Sequence, residues 1–187
     1  MIGTNEFKER EMDVISCSKF LSFVLRHKPQ EIGITLDEAG WVGIYELLHK
    51  AKSKGIVISI ELLKKVVAEN NKKRFEFSTD QTKIRASQGH SVKVELGYEH
   101  TVPPKFLYHG TCERFVDSIL QEGIQKMSRH HVHLSDNINT AKQVGSRHGD
   151  VFVFVVKAAE MHKHGFAFFK STNGVWLVDH VPSEYIV

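Results

Sequence analysis

Cysteine is scarce in this chain: Cys17 and Cys112 are the only two in 187 residues. They stand far apart, without the paired spacing of a metal knuckle. A disulfide scaffold is therefore excluded, and both are expected to be packing residues of a reduced, cytoplasmic protein. Long apolar runs are also missing. No stretch approaches the roughly 20 apolar residues of a membrane-spanning helix, and the first 13 residues are polar, mixed in charge and without a signal-peptide core. A soluble protein with no membrane partner is the expectation. Internal repeats and low-complexity segments are lacking too, which points away from solenoids and disordered linkers.

A strong excess of one charge is the next absence. The formal net charge is only +3, so attraction of the whole molecule to nucleic acid is weak. The distribution is less even than the total. Residues 50–74, which include Lys72, Lys73 and Arg74, hold eight basic side chains against the acids Glu61 and Glu69. Such a cluster can neutralise phosphates and release counterions; taken alone it is also a solvated lysine face.

What is present suffices for a core, at 41% apolar composition, and for two small lobes. Phe20, Leu21, Val24 and Leu25 recur at helical spacing over residues 16–28, with Ser16 or Ser18 as N-cap and Pro29 beyond the end. A second helix carries Ile44, Leu47, Leu48 and Ala51 and closes at Gly55. A third starts near Ser59, places Ile60, Leu63 and Val67 on one face and runs to Asn70. Residues 74–78 and 83–87 alternate as a hairpin around Thr79-Asp80-Gln81. Three helices followed by a hairpin is the order of a winged helix. Pro103-Pro104 marks a linker, and the lobes are set at 1–100 and 101–187. The second lobe is rich in strands: residues 106–108, 131–134, 151–156 (expected to be buried on both faces), 166–169 and 175–178. Phe115, Ile119 and Leu120 form one face of a short helix, and residues 140–148 form another.

Twelve histidines invite a metal reading, with His130, His131 and His133 crowded together. A zinc site wants about four converging ligands, and neither a cysteine pair nor a His-Glu-x-x-His motif accompanies them, so no metal is expected. Arg26-His27 at a helix end offers a guanidinium fork for phosphate oxygens beside a group that exchanges protons near neutral pH. Both residues also suit a helix C-terminus merely as dipole partners. At the end of a strand, His109-Gly110-Thr111 lets a backbone approach a planar ligand, and a tight turn needs glycine equally.

Taken in order, Arg26-His27, Arg74, Ala86-Ser87-Gln88-Gly89-His90-Ser91, His109-Gly110-Thr111, Ser128-Arg129-His130-His131-Val132-His133-Leu134-Ser135 and Asn173-Gly174-Val175-Trp176-Leu177 resemble the RNA 2′-phosphotransferase family, called KptA in bacteria, over residues 15–187. The resemblance implies an α+β protein, with an N-terminal winged-helix lobe that binds RNA and a C-terminal ADP-ribosyltransferase-like, β-rich lobe that binds NAD as co-substrate. It implies that an internal RNA 2′-phosphate attacks the nicotinamide ribose of NAD, releasing nicotinamide. The ribose hydroxyl then displaces the RNA, giving a free 2′-hydroxyl and ADP-ribose 1″,2″-cyclic phosphate. It assigns Arg26, His27, Arg74 and Arg129 to catalysis. It assigns His109, Gly110, Thr111, His133 and Ser135 to NAD, with Gly145, Arg147 and His148 as further contacts. A monomer acting on a phosphorylated RNA such as a tRNA is expected, in splicing or in RNA repair.

Many ADP-ribosyltransferases that modify protein use a catalytic glutamate on a late strand, where this chain has Asn173-Gly174-Val175-Trp176 and no acid. An anionic phosphate has less need of a carboxylate to activate it, so that lack favours RNA phosphate over protein side chains as acceptor. The alternatives are an ADP-ribosyltransferase acting on nucleic-acid ends or protein, and a non-enzymatic winged-helix regulator.

Overall fold

Hydrogen bonds at the helix starts and a salt-bridged hairpin organise the first half of the chain. The structure is a computed structural model that describes residues 12–69 and 73–187, with the His148 side chain excepted. Asn70 and Lys72, which the sequence reading placed at a helix end and in the basic cluster, lie outside the described residues. The chain is a mixed α+β protein of two compact units, divided between Leu96 and Gly97. No helix among the described residues is long and apolar enough to cross a membrane.

In the first unit, α1 spans Val14–Arg26 and is capped by Asp13, not by Ser16 or Ser18. The Asp13 carboxylate accepts from the N–H groups of Ile15 (2.9 Å) and Ser16 (3.0 Å) and from the Ser16 hydroxyl. An ionised acid suits the positive helix end, so the helix begins two residues earlier than its apolar pattern suggests. Cys17, Leu21, Val24 and Leu25 form its buried stripe, while Phe20 packs at the margin. Helix α2 is Ile44–Ser53, and Gly55 permits the turn beyond it with φ +78°. Helix α3, Ile60–Ala68, is capped by Ser59, whose hydroxyl accepts from the Leu62 N–H at 3.1 Å. Its buried face is Leu62, Leu63 and Val66; Ile60 and Val67, expected at its centre, flank it.

The expected hairpin is present, with β2 (Phe75–Phe77) antiparallel to β3 (Lys83–Ala86). A further strand, β1 (Val42–Gly43), pairs with the other side of β3 to give the order β1-β3-β2. Two residues are too few to show alternation, which is why the sequence reading missed it. Arg85 fastens this sheet. It donates to Glu76 across the strands at 2.7 Å and to the Ala39 carbonyl at 3.2 Å, and its guanidinium lies 4.4 Å from the centre of the Trp41 ring.

The second unit opens before the proline pair. The Thr101 N–H donates to the Phe168 carbonyl at 2.8 Å, His100 bridges to Phe169, and Pro103 is buried, so residues 97–104 are part of this unit and not a bare linker. One antiparallel pair joins β4 (Leu107–Cys112) to β6 (Val151–Val156). A three-stranded sheet has the order β5 (Val132–Leu134), β8 (Trp176–Val178), β7 (Phe168–Lys170). Tyr108 and Ser135 exchange backbone hydrogen bonds of 2.8 and 2.9 Å and couple the two sheets. The core gathers Leu107, Val132, Leu134, Val156, Phe168 and Trp176.

Three expectations need correction. In β6 only Phe154 and Val156 are buried, while Val151 and Phe152 are exposed, because register sets Val156 beside Leu107 over the core and Val151 beside Cys112 at the far end. Helix α4 (Val116–Glu122) has no buried residue; Phe115 and Leu120 are exposed and only Ile119 leans on the core. His109-Gly110-Thr111 lies inside β4 and not at a strand end. Helix α5, Ile138–Gly145, continues into a 3-10 turn, Ser146–His148. A last helix, α6 (Ala158–Lys163), escaped the sequence reading because it is short and buries only Ala158 and Met161.

Candidate functional site

Two groups of polar and titratable side chains stand out, one in each unit. In the first, α1 ends at Arg26 and His27 is its C-cap. The Arg26 carbonyl accepts from the N–H groups of Ser91 (2.9 Å) and Val92 (3.3 Å), so the segment after the hairpin closes over the helix end. The Arg26 guanidinium donates to the Arg74 carbonyl at 3.4 Å and lies 5.9 Å from the centre of the Phe75 ring. The same Arg74 carbonyl accepts from the Ser87 N–H at 2.8 Å. Arg26, His27 and Arg74, distant in sequence, are thereby gathered at one end of α1. His27 Nδ1 and the Ser91 hydroxyl share a hydrogen bond of 2.9 Å, which fixes the rotation of the imidazole. Ser91 is a neighbour to which the sequence reading gave no role, and only the fold brings it to His27.

In the second unit, a cavity of about 550 Å³ is lined by β4, β5 with the residues on either side of it, α5 and the turn before β8. It holds His109, Gly110, Thr111, Arg129, His133, Ser135, Gly145 and Arg147. It also holds Asn173 from the last motif, and residues outside the motifs: Phe115, Asp136, Thr140, Val144 and Lys170. His109 Nδ1–H donates to the His133 carbonyl at 3.1 Å, so in the neutral ring Nε2 is the acceptor. Burial lowers the His109 pKa, Arg129 lowers it further, and the carbonyl bond opposes both. The ring is neutral at neutral pH. Arg129 is itself lowered from the usual arginine range by burial and by Arg147, and still stays charged. Its Nη1 lies 3.5 Å from His133 Nδ1, the outer limit of a hydrogen bond.

Not every residue meets the cavity through a ligand-facing group. A Cβ on Gly110 would stand 1.8 Å from the Ala141 carbonyl oxygen, and one on Gly145 would stand 2.8 Å from the Thr111 backbone. These two glycines let α5 lie directly on β4, so the close approach they permit is of helix to strand. The Ser135 hydroxyl donates to the Asn137 carbonyl and accepts from the Asn137 N–H, both at 3.0 Å, and so shapes the entry to α5. The late strand carries no acid, but Asp136 supplies a carboxylate to the same cavity, paired with Lys170 and with the Trp176 indole N–H at 3.4 Å each. No spacing rule in the sequence joins Asp136 to residue 176.

The crowded histidines face different partners. His133 meets Arg129, whereas the His131 ring packs 5.6 Å from Phe169. Burial and the neighbouring His130 and Lys126 lower the His131 pKa, with Asp179 opposing them. Among the described residues no three metal-binding side chains cluster. Cys17 is buried and its thiol is pushed up to about 11, chiefly by burial and secondarily by Asp13.

The first unit thus brings Arg26, Arg74 and an oriented imidazole to one helix end. The second offers a cationic and partly apolar cavity with a neutral histidine. Comparison with known proteins gives the family. A family model described as "RNA 2'-phosphotransferase, Tpt1 / KptA family" matches residues 12–180. A Flavobacterium johnsoniae protein named "Probable RNA 2'-phosphotransferase" is 53% identical over 171 residues, 91% of this chain and 94% of the relative. Relatives of the same name from Trichormus variabilis and Fusobacterium nucleatum are 52% and 47% identical, each over 92% of this chain and over 94% and 97% of their own length.

Proposed function

The chain belongs to the RNA 2′-phosphotransferase, Tpt1 / KptA family, and from that premise we propose that it removes an internal 2′-phosphate from RNA by transferring it to NAD. The observation that carries the reading is the gathering of Arg26, His27 and Arg74 at the C-terminal end of α1. Guanidinium forks match phosphate oxygens, hold the group in one orientation and offset charge as it transfers. Arg129, in the second unit, is the fourth member of the set that the family resemblance implies. His27, its ring fixed by Ser91, donates or accepts a proton in the transesterification and so supports departure of the RNA 2′-oxygen, which leaves as a hydroxyl. Its replacement in His27→Ala is expected to slow release of dephosphorylated RNA by about 10²- to 10⁴-fold.

The cavity of the second unit fits a dinucleotide. Its volume lies in the range of cofactor sites. Arg129, Arg147 and Lys170 match a diphosphate, Phe115 and Val144 offer apolar contact to a ring, and His109 Nε2 and Thr111 supply polar contacts. Bound NAD supplies an electrophilic ribose carbon and a neighbouring hydroxyl, so the phosphate can leave the RNA as ADP-ribose 1″,2″-cyclic phosphate. The three helices and hairpin of the first unit support a winged-helix assignment, and the paired strands around the cavity support an ADP-ribosyltransferase-like one. Incubating the protein with a 2′-phosphorylated oligoribonucleotide, with and without NAD, tests the proposal. Loss of one phosphate is expected only with NAD; no NAD-dependent change in the RNA overturns it.

A further inference from the structure

Helix α1 is amphipathic, and its core-facing stripe accounts for Cys17, Leu21, Val24 and Leu25. It does not account for Ile15 and Phe23, which remain 67% and 46% exposed. Single exposed apolar residues need no explanation. Here, however, Ile15, Lys19, Phe23 and His27 follow one another at intervals of four, which lays them along one line of the helix surface. That line is one wall of a groove of about 620 Å³, whose other wall is made by Val66, Glu69 and Arg74. Two of the residues given above to the RNA phosphate, His27 and Arg74, therefore stand at the end of a channel that continues back along α1.

We propose that this groove holds the RNA strand flanking the 2′-phosphate, with bases against Phe23 and Ile15 and a backbone phosphate at Lys19. The inference rests on the reading of the first unit as the RNA-phosphate side and names a subsite for it. Aromatic and apolar platforms alternating with cations are how proteins hold single strands without reading sequence, since every base has a stackable face. Charge agrees: Lys19 and Arg74 line the groove, and Glu69 is the one acid among the described lining residues. Length agrees as well. The 13 residues of α1 extend about 20 Å at 1.5 Å per residue, room for several stacked nucleotides at about 3.4 Å each.

The test compares kcat/KM, at saturating NAD, for a dinucleotide carrying an internal 2′-phosphate and for the same dinucleotide extended by four nucleotides on either side. The wild-type protein is expected to prefer an extended substrate. Phe23→Ala is expected to lower the ratio of extended to minimal kcat/KM about tenfold, and Phe23→Trp to preserve it. Lys19→Gln should flatten the salt dependence on the extended substrate by nearly one unit of log–log slope. Tyr45→Ala, at another exposed aromatic, should keep the wild-type ratio. A Phe23→Ala ratio equal to wild type overturns the subsite while the phosphotransferase reading stands. A higher ratio in that variant, or an altered oligomeric state by sedimentation, also overturns it, because the groove is then covered by the chain's own N-terminal residues or by a second copy. If the wild-type protein leaves even the dinucleotide unchanged with NAD, the underlying reading itself has failed.

Discussion

His27 illustrates what a residue needs from its surroundings before it can act. At a helix C-cap an imidazole is an ordinary dipole partner; the hydrogen bond to Ser91 turns it into a group with one orientation. Ser91→Ala is expected to lower kcat about fivefold, the worth of one ordinary hydrogen bond, with little change in KM. Because Ser91 acts through His27, adding Ser91→Ala to His27→Ala should cost nothing further, and additive losses would contradict the assignment. His109 yields a prediction of a different kind. Its folded pKa lies below the 6.5 of an unperturbed imidazole, chiefly through burial. As pH falls from about 6.5 toward the folded value, the unfolded chain binds a proton that the native chain does not. Stability is thus present above that window and lost on acidification. His131 contributes with the same sign. Melting temperature should drop between pH 7 and pH 5, and His109→Gln should make the drop shallower; an unchanged slope would contradict this.

Elements were legible where their pattern was long and their caps local. α1 and α3 could be placed by period and flanking residues, yet Asp13 displaced the serines as cap because a carboxylate serves two N–H groups and the dipole together. β6 was legible as a strand, but the exposure of Val151 and Phe152 depends on where a two-stranded ribbon runs past the core, which no run of apolar letters encodes. β1 and α6 were too short to carry a period. The glycines are the sharpest case. His109-Gly110-Thr111 was singled out for a ligand, whereas the atom nearest to a Cβ on Gly110 is the Ala141 carbonyl oxygen of α5. Gly110→Ala should force α5 off β4 and cost about 1–3 kcal/mol or more. A fall in melting temperature of at least about 4 °C is the expected reading, and a melt like wild type would show that α5 does not rest on β4 so closely.

At the scale of the whole molecule, the family was legible because several weak motifs occur in one order along nearly the full chain, and the match over residues 12–180 shows it. The partners of those motifs were not legible. Ser91 reaches His27, and Asp136 reaches Lys170 and Trp176, only through tertiary structure. Cys17 and Cys112 sit buried and outside any disulfide, and the raised thiol of Cys17 should resist alkylation at pH 8 in the folded protein while reacting once it is denatured. The central claim is that phosphate moves from RNA to NAD. Its most direct measurement is mass spectrometry of the products formed from a 2′-phosphorylated oligoribonucleotide and NAD. The account predicts RNA with a 2′-hydroxyl, nicotinamide and ADP-ribose 1″,2″-cyclic phosphate in equal amounts; inorganic phosphate in place of the cyclic product, or RNA left stably ADP-ribosylated, would contradict it.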